Sequence, residues 1–256
     1  NQHYFKLYGG PFRNALFAFE HIFTQNEISK TLLQSIGYND TTVSGDTRFD
    51  RVSNQLNIDN TLNFINDFKD NHLCVVAGST WPEGESLFID FINNTTSKDV
   101  KFIIAPHNIK ASQIKKFQEK LNKASVLFSE KENHKLAEYT VFIVDTIGIL
   151  SKIYSYADIA YVGGGMGRTG LHNSLEPAVF GVPIIIGNNH KEFPEAQAMI
   201  DNGGMFSISN QNQFNNVLNT LIDDDNKRKT SGIKNRTYIK KNKDAVNRVL
   251  DYLKIK

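Results

Sequence analysis

The stretch that decides the fold is "IAYVGGGMGRTGLHNSLEPAVFGVPIIIG", Ile159 to Gly187. Two continuous apolar runs, "IAYVGG" and "VPIIIG", enclose a glycine-rich loop and a short helical pattern, "EPAVFG". Short apolar runs rich in β-branched residues are what strands covered on both faces look like, so the stretch predicts strand, loop, helix and strand in that order. Outward from it the same alternation recurs. "LCVVAG" (Leu73 to Gly78), "VKFIIA" (Val100 to Ala105), "SVLF" (Ser125 to Phe128), "VFIVD" (Val141 to Asp145) and "GMFSI" (Gly204 to Ile208) read as further strands. Helical patterns such as "QIKKFQEKL", "IGILSKIYSYA" and "FPEAQAMIDNG" fall between them. The rhythm is βαβ, and the expected fold class is α/β, a Rossmann-like doubly wound parallel sheet.

Two flanks fall outside that rhythm. Residues 1–52 offer an amphipathic helix, the strand "HIFTQ", the helix "EISKTLLQSIG" and then "TTVSGDTRFD", which make a single βαβ unit. That is too few strands to bury both faces of a sheet, so the segment reads as the tail of an upstream domain. Residues 53–235 hold the main sheet, and "DDDNKRKTSGIKNRTYIKKNKDAVNRVLDYLKIK" reads as a long helical tail with a solvated basic face, its last part spanning 236–256.

Composition excludes several classes. The 29 basic and 27 acidic residues are spread along the chain and leave a formal charge of +2, without the polycationic field of nucleic-acid binders, so no nucleic-acid partner is expected. Cys74, the single cysteine, sits inside an apolar run and reads as a buried inert thiol. No apolar run approaches the roughly 18 residues needed to span a bilayer, and the chain is expected to be soluble as it stands. The seven histidines show no zinc-ligand spacing, "HKE" at 190–192 being the nearest approach, and no metal is expected.

The glycine loop contains a G-x-G-x-x-G match, Gly165 to Gly170, directly after a strand. A dinucleotide site also demands a helix opening at the third glycine and an acidic residue closing the next strand, roughly 20 residues on. Here the next strand ends "IIIGNN", Glu192 comes too late, and the loop comes after about the fifth strand of its sheet. The NAD reading is therefore set aside. The residues after Gly170 suit another task. Asn173 or Ser174 can cap a helix, Pro177 lies early in it where a missing N–H costs nothing, and the first turn offers free N–H groups to a phosphate. Glu176 is either a carboxylate favoured near a helix N-terminus or a bidentate acceptor for two ribose hydroxyls.

"YVGGG", "G-x-H-N-x-L-E-P", "FGVPIIIGNN" and "FPEA", in this order and spacing, resemble the C-terminal half of the 3-deoxy-D-manno-octulosonic acid (Kdo) transferases, which add Kdo to the lipid A precursor of Gram-negative bacteria. Other pieces agree. "QNEISKTLLQSIG" and "VSGDTRFDRV" resemble the end of that family's first domain, "AGSTWPEGES" its "STHEGEE"-type loop, and "APHN" its "PRH" loop. "VDTIGILSKIYSYADIAYVGGG" resembles the approach to its donor site. The resemblance implies a GT-B glycosyltransferase of two Rossmann-like domains that uses CMP-Kdo and needs neither cofactor nor metal. On that basis residues 53–235 are the donor-binding domain, residues 1–52 a remnant of the acceptor domain and its linker, and 236–256 a helix returning toward the N-terminal domain. The family's catalytic acid and its membrane-anchoring segment would both lie before Asn1. The full-length enzyme would work at the cytoplasmic face of the inner membrane, and this chain alone would be inactive.

The residues so implicated in donor binding are Ser79, Thr80, His107, Gly148, Gly163, Gly164, Gly165, Gly170, His172, Asn173, Ser174 and Glu176. Each has a plainer reading. Thr80 to Glu83 reads as a capping box, the glycines either give clearance to a ligand or make turns, and Gly148 fits a simple turn. Glu83 or Glu85 would be the family's loop acid. Many relatives carry Arg between the Pro and His of "APHN", which this chain lacks. Arg48, expected at the domain junction, and Arg168, inside the glycine loop, are the candidate replacements as anion contacts. Two alternatives stay open: another GT-B enzyme using a UDP-sugar, and a non-catalytic nucleotide-binding module.

Overall fold

A computed structural model describes residues 2–254 and divides the chain into two units, one running up to Asn54 and resuming at Lys240, the other Gln55–Ile239. The smaller unit contains α1 (Gly10–Phe17), β1 (Ile22–Thr24), α2 (Glu27–Ser35), β2 (Thr41–Val43) and α3 (Thr47–Asn54). β1 and β2 pair in parallel, Ile22 opposite Thr41. Asn26 caps α2 by accepting from Ser29 N–H, as a short polar side chain with extended backbone does at a helix start.

The larger unit runs α4 (Asn63–Lys69), β3 (Leu73–Thr80), α5 (Pro82–Asn94), β4 (Val100–Pro106), α6 (Ala111–Glu119), β5 (Ser125–Leu127) and β6 (Val141–Ile143). It continues with α7 (Leu150–Ile153), β7 (Ile159–Val162), α8 (Leu175–Val179), β8 (Ile184–Gly187), α9 (Pro194–Asp201), β9 (Met205–Ile208), α10 (Gln211–Asp223) and all but the last three residues of α11 (Asp225–Asn242). The seven strands β3–β9 form one sheet in the order β5-β6-β4-β3-β7-β8-β9, and every pairing is parallel. All seven lie where the apolar runs predict them. Their continuous apolar character comes from burial on both faces: Cys74 to Ala77, Phe102 to Ile104 and Val141 to Ile143 are fully buried. Phe88, Tyr161 and Phe214 lock α5 and α10 onto one face, with Phe88 edge-on to Tyr161 at 5.3 Å and to Phe214 at 5.0 Å. The Cys74 thiol is buried in β3, and burial pushes its pKa up to about 12.

The C-terminal tail is not one long helix. It breaks at Asp244, whose φ of 87° ends the run, and α12 (Ala245–Leu253) starts anew. Asp50 supplies the cap from across the smaller unit. One of its carboxylate oxygens accepts from Asp244 N–H at 2.8 Å and the other from Ala245 N–H at 3.1 Å. Nor is α11 basic for solubility alone. Arg228 donates to the carbonyls of Leu221 and Ile222 at the end of α10, and Arg236 to that of Phe180 just after α8. These guanidinium groups satisfy the carbonyls that helix ends leave without partners. Asn235 is wholly buried on α11, and its amide donates to the carbonyls of Val182 and Gly204 at 2.8 Å each.

Candidate functional site

The chain leaves β3 toward β4 on one side of the sheet and later returns to place β7 on the other side of β3. Adjacent strands whose connections depart in opposite directions open a crevice at their carboxyl ends, the place where open α/β sheets bind ligands. The end of β3 and the loops after β4 and β7 are laced together there by backbone bonds. Gly163 N–H donates to Gly78 O at 3.0 Å, His107 N–H to Thr80 O at 2.9 Å, and His172 N–H to Gly163 O at 3.1 Å.

Two glycines of the loop are dictated by this lacing. A Cβ on Gly163 would overlap the Ser79 carbonyl, and Gly164, at φ 92°, carries its hydrogen against the carbonyl of Gly170. The loops could not close on one another with a side chain at either position, whatever else the crevice holds. Gly165 faces the backbone of Gly187, while Gly170 lies beside the Phe193 ring. Gly148 sits at an exposed turn between β6 and α7, with nothing near its missing Cβ.

The carboxyl end of β3 carries an irregularity between Gly78 and Thr80, and Ser79 takes a positive φ of 50°. The expected capping box is absent. Pro82 starts α5, so the cap position falls on Trp81 and not on Thr80, and no side chain caps the helix. The buried Thr80 hydroxyl instead donates to Glu85 at 3.1 Å. Burial raises the pKa of the Glu85 carboxyl, with the nearby Glu83 adding to the rise and the Thr80 hydroxyl opposing it. A cavity of about 190 Å³ between α5 and α6 reaches these two residues and is walled by Ile89, Ile114 and Phe117.

Three rings stand at the mouth of the crevice. Trp81 stacks on His107 at 4.6 Å, His107 stacks on His172 at 4.5 Å, and the Trp81 indole N–H donates to His172 Nε2 at 2.9 Å. Burial, and secondarily His107, holds the His172 pKa below the ordinary histidine value.

α8 comes after the glycine loop and is only five residues long. Of the two candidate caps it uses Asn173, whose Oδ1 accepts from Leu175 N–H at 3.2 Å, while Ser174 is buried and makes no capping bond. The Asn173 amide donates to Glu176 Oε1 at 3.0 Å, and the Ser151 hydroxyl donates to Oε2 at 2.9 Å. Each Glu176 oxygen therefore has one protein donor and keeps acceptor capacity for a second.

Ser79, Thr80, His107, Gly163, Gly164, His172 and Asn173 are thus gathered on loops joined by hydrogen bonds or stacked rings, with Glu176 tied to Asn173. Arg168 is exposed on the glycine loop. Arg48 belongs to the smaller unit, where its guanidinium pairs with Asp46 at 2.7 Å. Sequence reasoning did not single out Ser151 or Trp81. Ser151 lies in "ILSKIY", which carries no local mark. Trp81 is the only tryptophan of the chain, and its place between "ST" and Pro82 was the available signal. Among the described residues no group of three or more His, Cys, Asp or Glu side chains could hold a metal ion.

The seven-stranded parallel sheet matches the fold of the C-terminal domains of GT-B glycosyltransferases. The chain matches 76% of its length, at a TM-score of 0.60 and 19% identity, to 99% of the C-terminal CMP-Kdo binding domain of WaaA from Acinetobacter baumannii. In sequence it resembles the C-terminal part of the 3-deoxy-D-manno-octulosonic acid transferases. It is 27% identical over 213 residues to the transferase of Rickettsia typhi, covering 81% of this chain and 45% of the relative. It is 33% identical over 133 residues to that of Aquifex aeolicus, covering 50% of this chain and 35% of the relative. The chain spans less than half the length of these curated relatives. No protein-family model matches it.

Proposed function

We propose that this chain is the donor-binding part of a glycosyltransferase that moves Kdo from CMP-Kdo to the lipid A precursor. The observation that carries the reading is Glu176, a carboxylate fixed by Ser151 and Asn173 with one acceptor position left on each oxygen. Two adjacent ribose hydroxyls are a chemical match for that pair. The glycine loop beside it and the Ser79–Thr80 loop would take the phosphate and the Kdo carboxylate through hydroxyl and main-chain donors. Arg168, exposed on the same glycine loop, is the cation that would add charge to that contact. In the transfer an acceptor hydroxyl attacks the anomeric carbon of Kdo while the bond to the CMP phosphate breaks. This chain would stabilise the departing CMP, and the general base would come from the other half of such enzymes. The full enzyme would then act at the membrane that holds its lipid acceptor.

Calorimetric titration of the chain with CMP and with UMP is the test. CMP is expected to bind, more tightly than UMP, and to do so equally well in the presence of a metal chelator. Preference for a uridine nucleotide would transfer the site to a UDP-sugar enzyme, and absence of any nucleotide binding would refute the reading.

A further inference from the structure

An indole N–H only donates, so the 2.9 Å bond from Trp81 Nε1 requires His172 Nε2 to accept. A histidine nitrogen that accepts carries no proton, and in the neutral ring the proton must then sit on Nδ1. The ring has little freedom to escape this arrangement. Its backbone N–H is tied to Gly163 O at 3.1 Å, and one face rests on His107, which in turn rests on Trp81. Its Cδ2 edge lies against Gly164, while Nδ1 has no protein partner among the described residues. Protonating both nitrogens would set two donors against each other at the Trp81 bond and place a charge on a partly buried ring.

We propose that Trp81 is a positioning residue that locks His172 in its neutral Nδ1–H form, so that His172 meets the anionic group of a bound nucleotide as a hydrogen-bond donor and not as a cation. The lowered pKa of His172, caused by burial and by His107, agrees with this. The ligand half of the proposal rests on the nucleotide reading above; the lock itself does not depend on a ligand.

The test is long-range proton–nitrogen NMR on the 256-residue chain with ¹⁵N-labelled histidine, the His172 signals being assigned by their loss in His172→Gln. The wild-type chain should show an unprotonated Nε2 and a protonated Nδ1. Trp81→Phe keeps a ring on His107 but has no donor, and should shift His172 to a mixture of tautomers. CMP affinity should fall about fivefold, as for one hydrogen bond whose donor is no longer held in place. A protonated Nε2 in the wild type, an unchanged tautomer in Trp81→Phe, or unchanged CMP affinity in that variant would each overturn the proposal. If the wild type bound no nucleotide, the functional reading and the ligand half would fall together, while the spectrum would still decide the lock.

Discussion

Glu176→Gln is the substitution that weighs most directly on the site. Its carboxylate accepts from Ser151 at 2.9 Å and from Asn173 at 3.0 Å, so each oxygen has room for one more donor. A hydrogen bond to a charged group contributes about 1.5–3 kcal/mol. That figure is already net of the bonds water makes, and a Gln amide keeps one acceptor oxygen, so losing the charge at both ribose hydroxyls and the acceptor at one should cost about 2–4 kcal/mol, or roughly 30- to 1000-fold in CMP affinity. Part of any loss could come from disturbing Ser151 and Asn173, so the variant is paired with a change on the ligand. Wild type and Glu176→Gln are each titrated with CMP and with 2′-deoxy-CMP. If Glu176 holds the ribose, removing the 2′-hydroxyl should matter much less once the carboxylate is gone, and the two losses will not add. Strictly additive losses would refute the ribose contact and return Glu176 to a part in fixing the turn into α8.

Other expectations concern stability. Gly163→Ala pushes a methyl group into the Ser79 carbonyl, a backbone atom that cannot swing aside, and should cost about 1–3 kcal/mol by chemical denaturation. Asn235→Leu keeps the branched outline of the side chain but strips the carbonyls of Val182 and Gly204 of their donor and sets larger methyl groups in a closed site, so a loss of about 2–4 kcal/mol is expected in the same assay. Glu85 titrates higher folded than unfolded, so the folded chain holds its proton more tightly and stability should fall as pH rises through the normal glutamate range into the raised one. Glu85→Gln should remove that slope in pH-dependent urea melts; an unchanged slope would place it elsewhere. His172 runs the opposite way. Its depressed pKa stabilises the folded chain above the unfolded value, near 6.5, and that contribution is lost as pH falls through the folded value, a loss that His172→Gln should abolish.

The large sheet was legible because its strands are buried on both faces, which forces uninterrupted apolar runs such as "VKFIIA" and "VFIVD". Edges were less so: β8 begins at Ile184 and not at Val182, beyond Pro183, which has no N–H to give a ladder. Of the site, the parts that belong to one loop could be read, including the Asn173 cap and the crowding of glycines. Parts that depend on distant segments could not. Trp81 reaches His172 across 91 residues and Asp50 reaches Asp244 across 194, and nothing in either neighbourhood names its partner. The capping box failed for a local reason, since Pro82 fixes where the helix starts and moves the cap by one residue.

The backbone lacing of the crevice has a practical consequence for engineering. Gly78, Thr80 and Gly163 hold the three loops through carbonyl oxygens, and His107, Gly163 and His172 through peptide N–H groups. None of those bonds belongs to a side chain. Away from Gly163 and Gly164, exposed groups of the glycine loop such as Arg168 can be randomised in a library while the frame beneath them stays stitched. Ligand preference should therefore be open to redesign at this rim by substitution alone, without grafting loops.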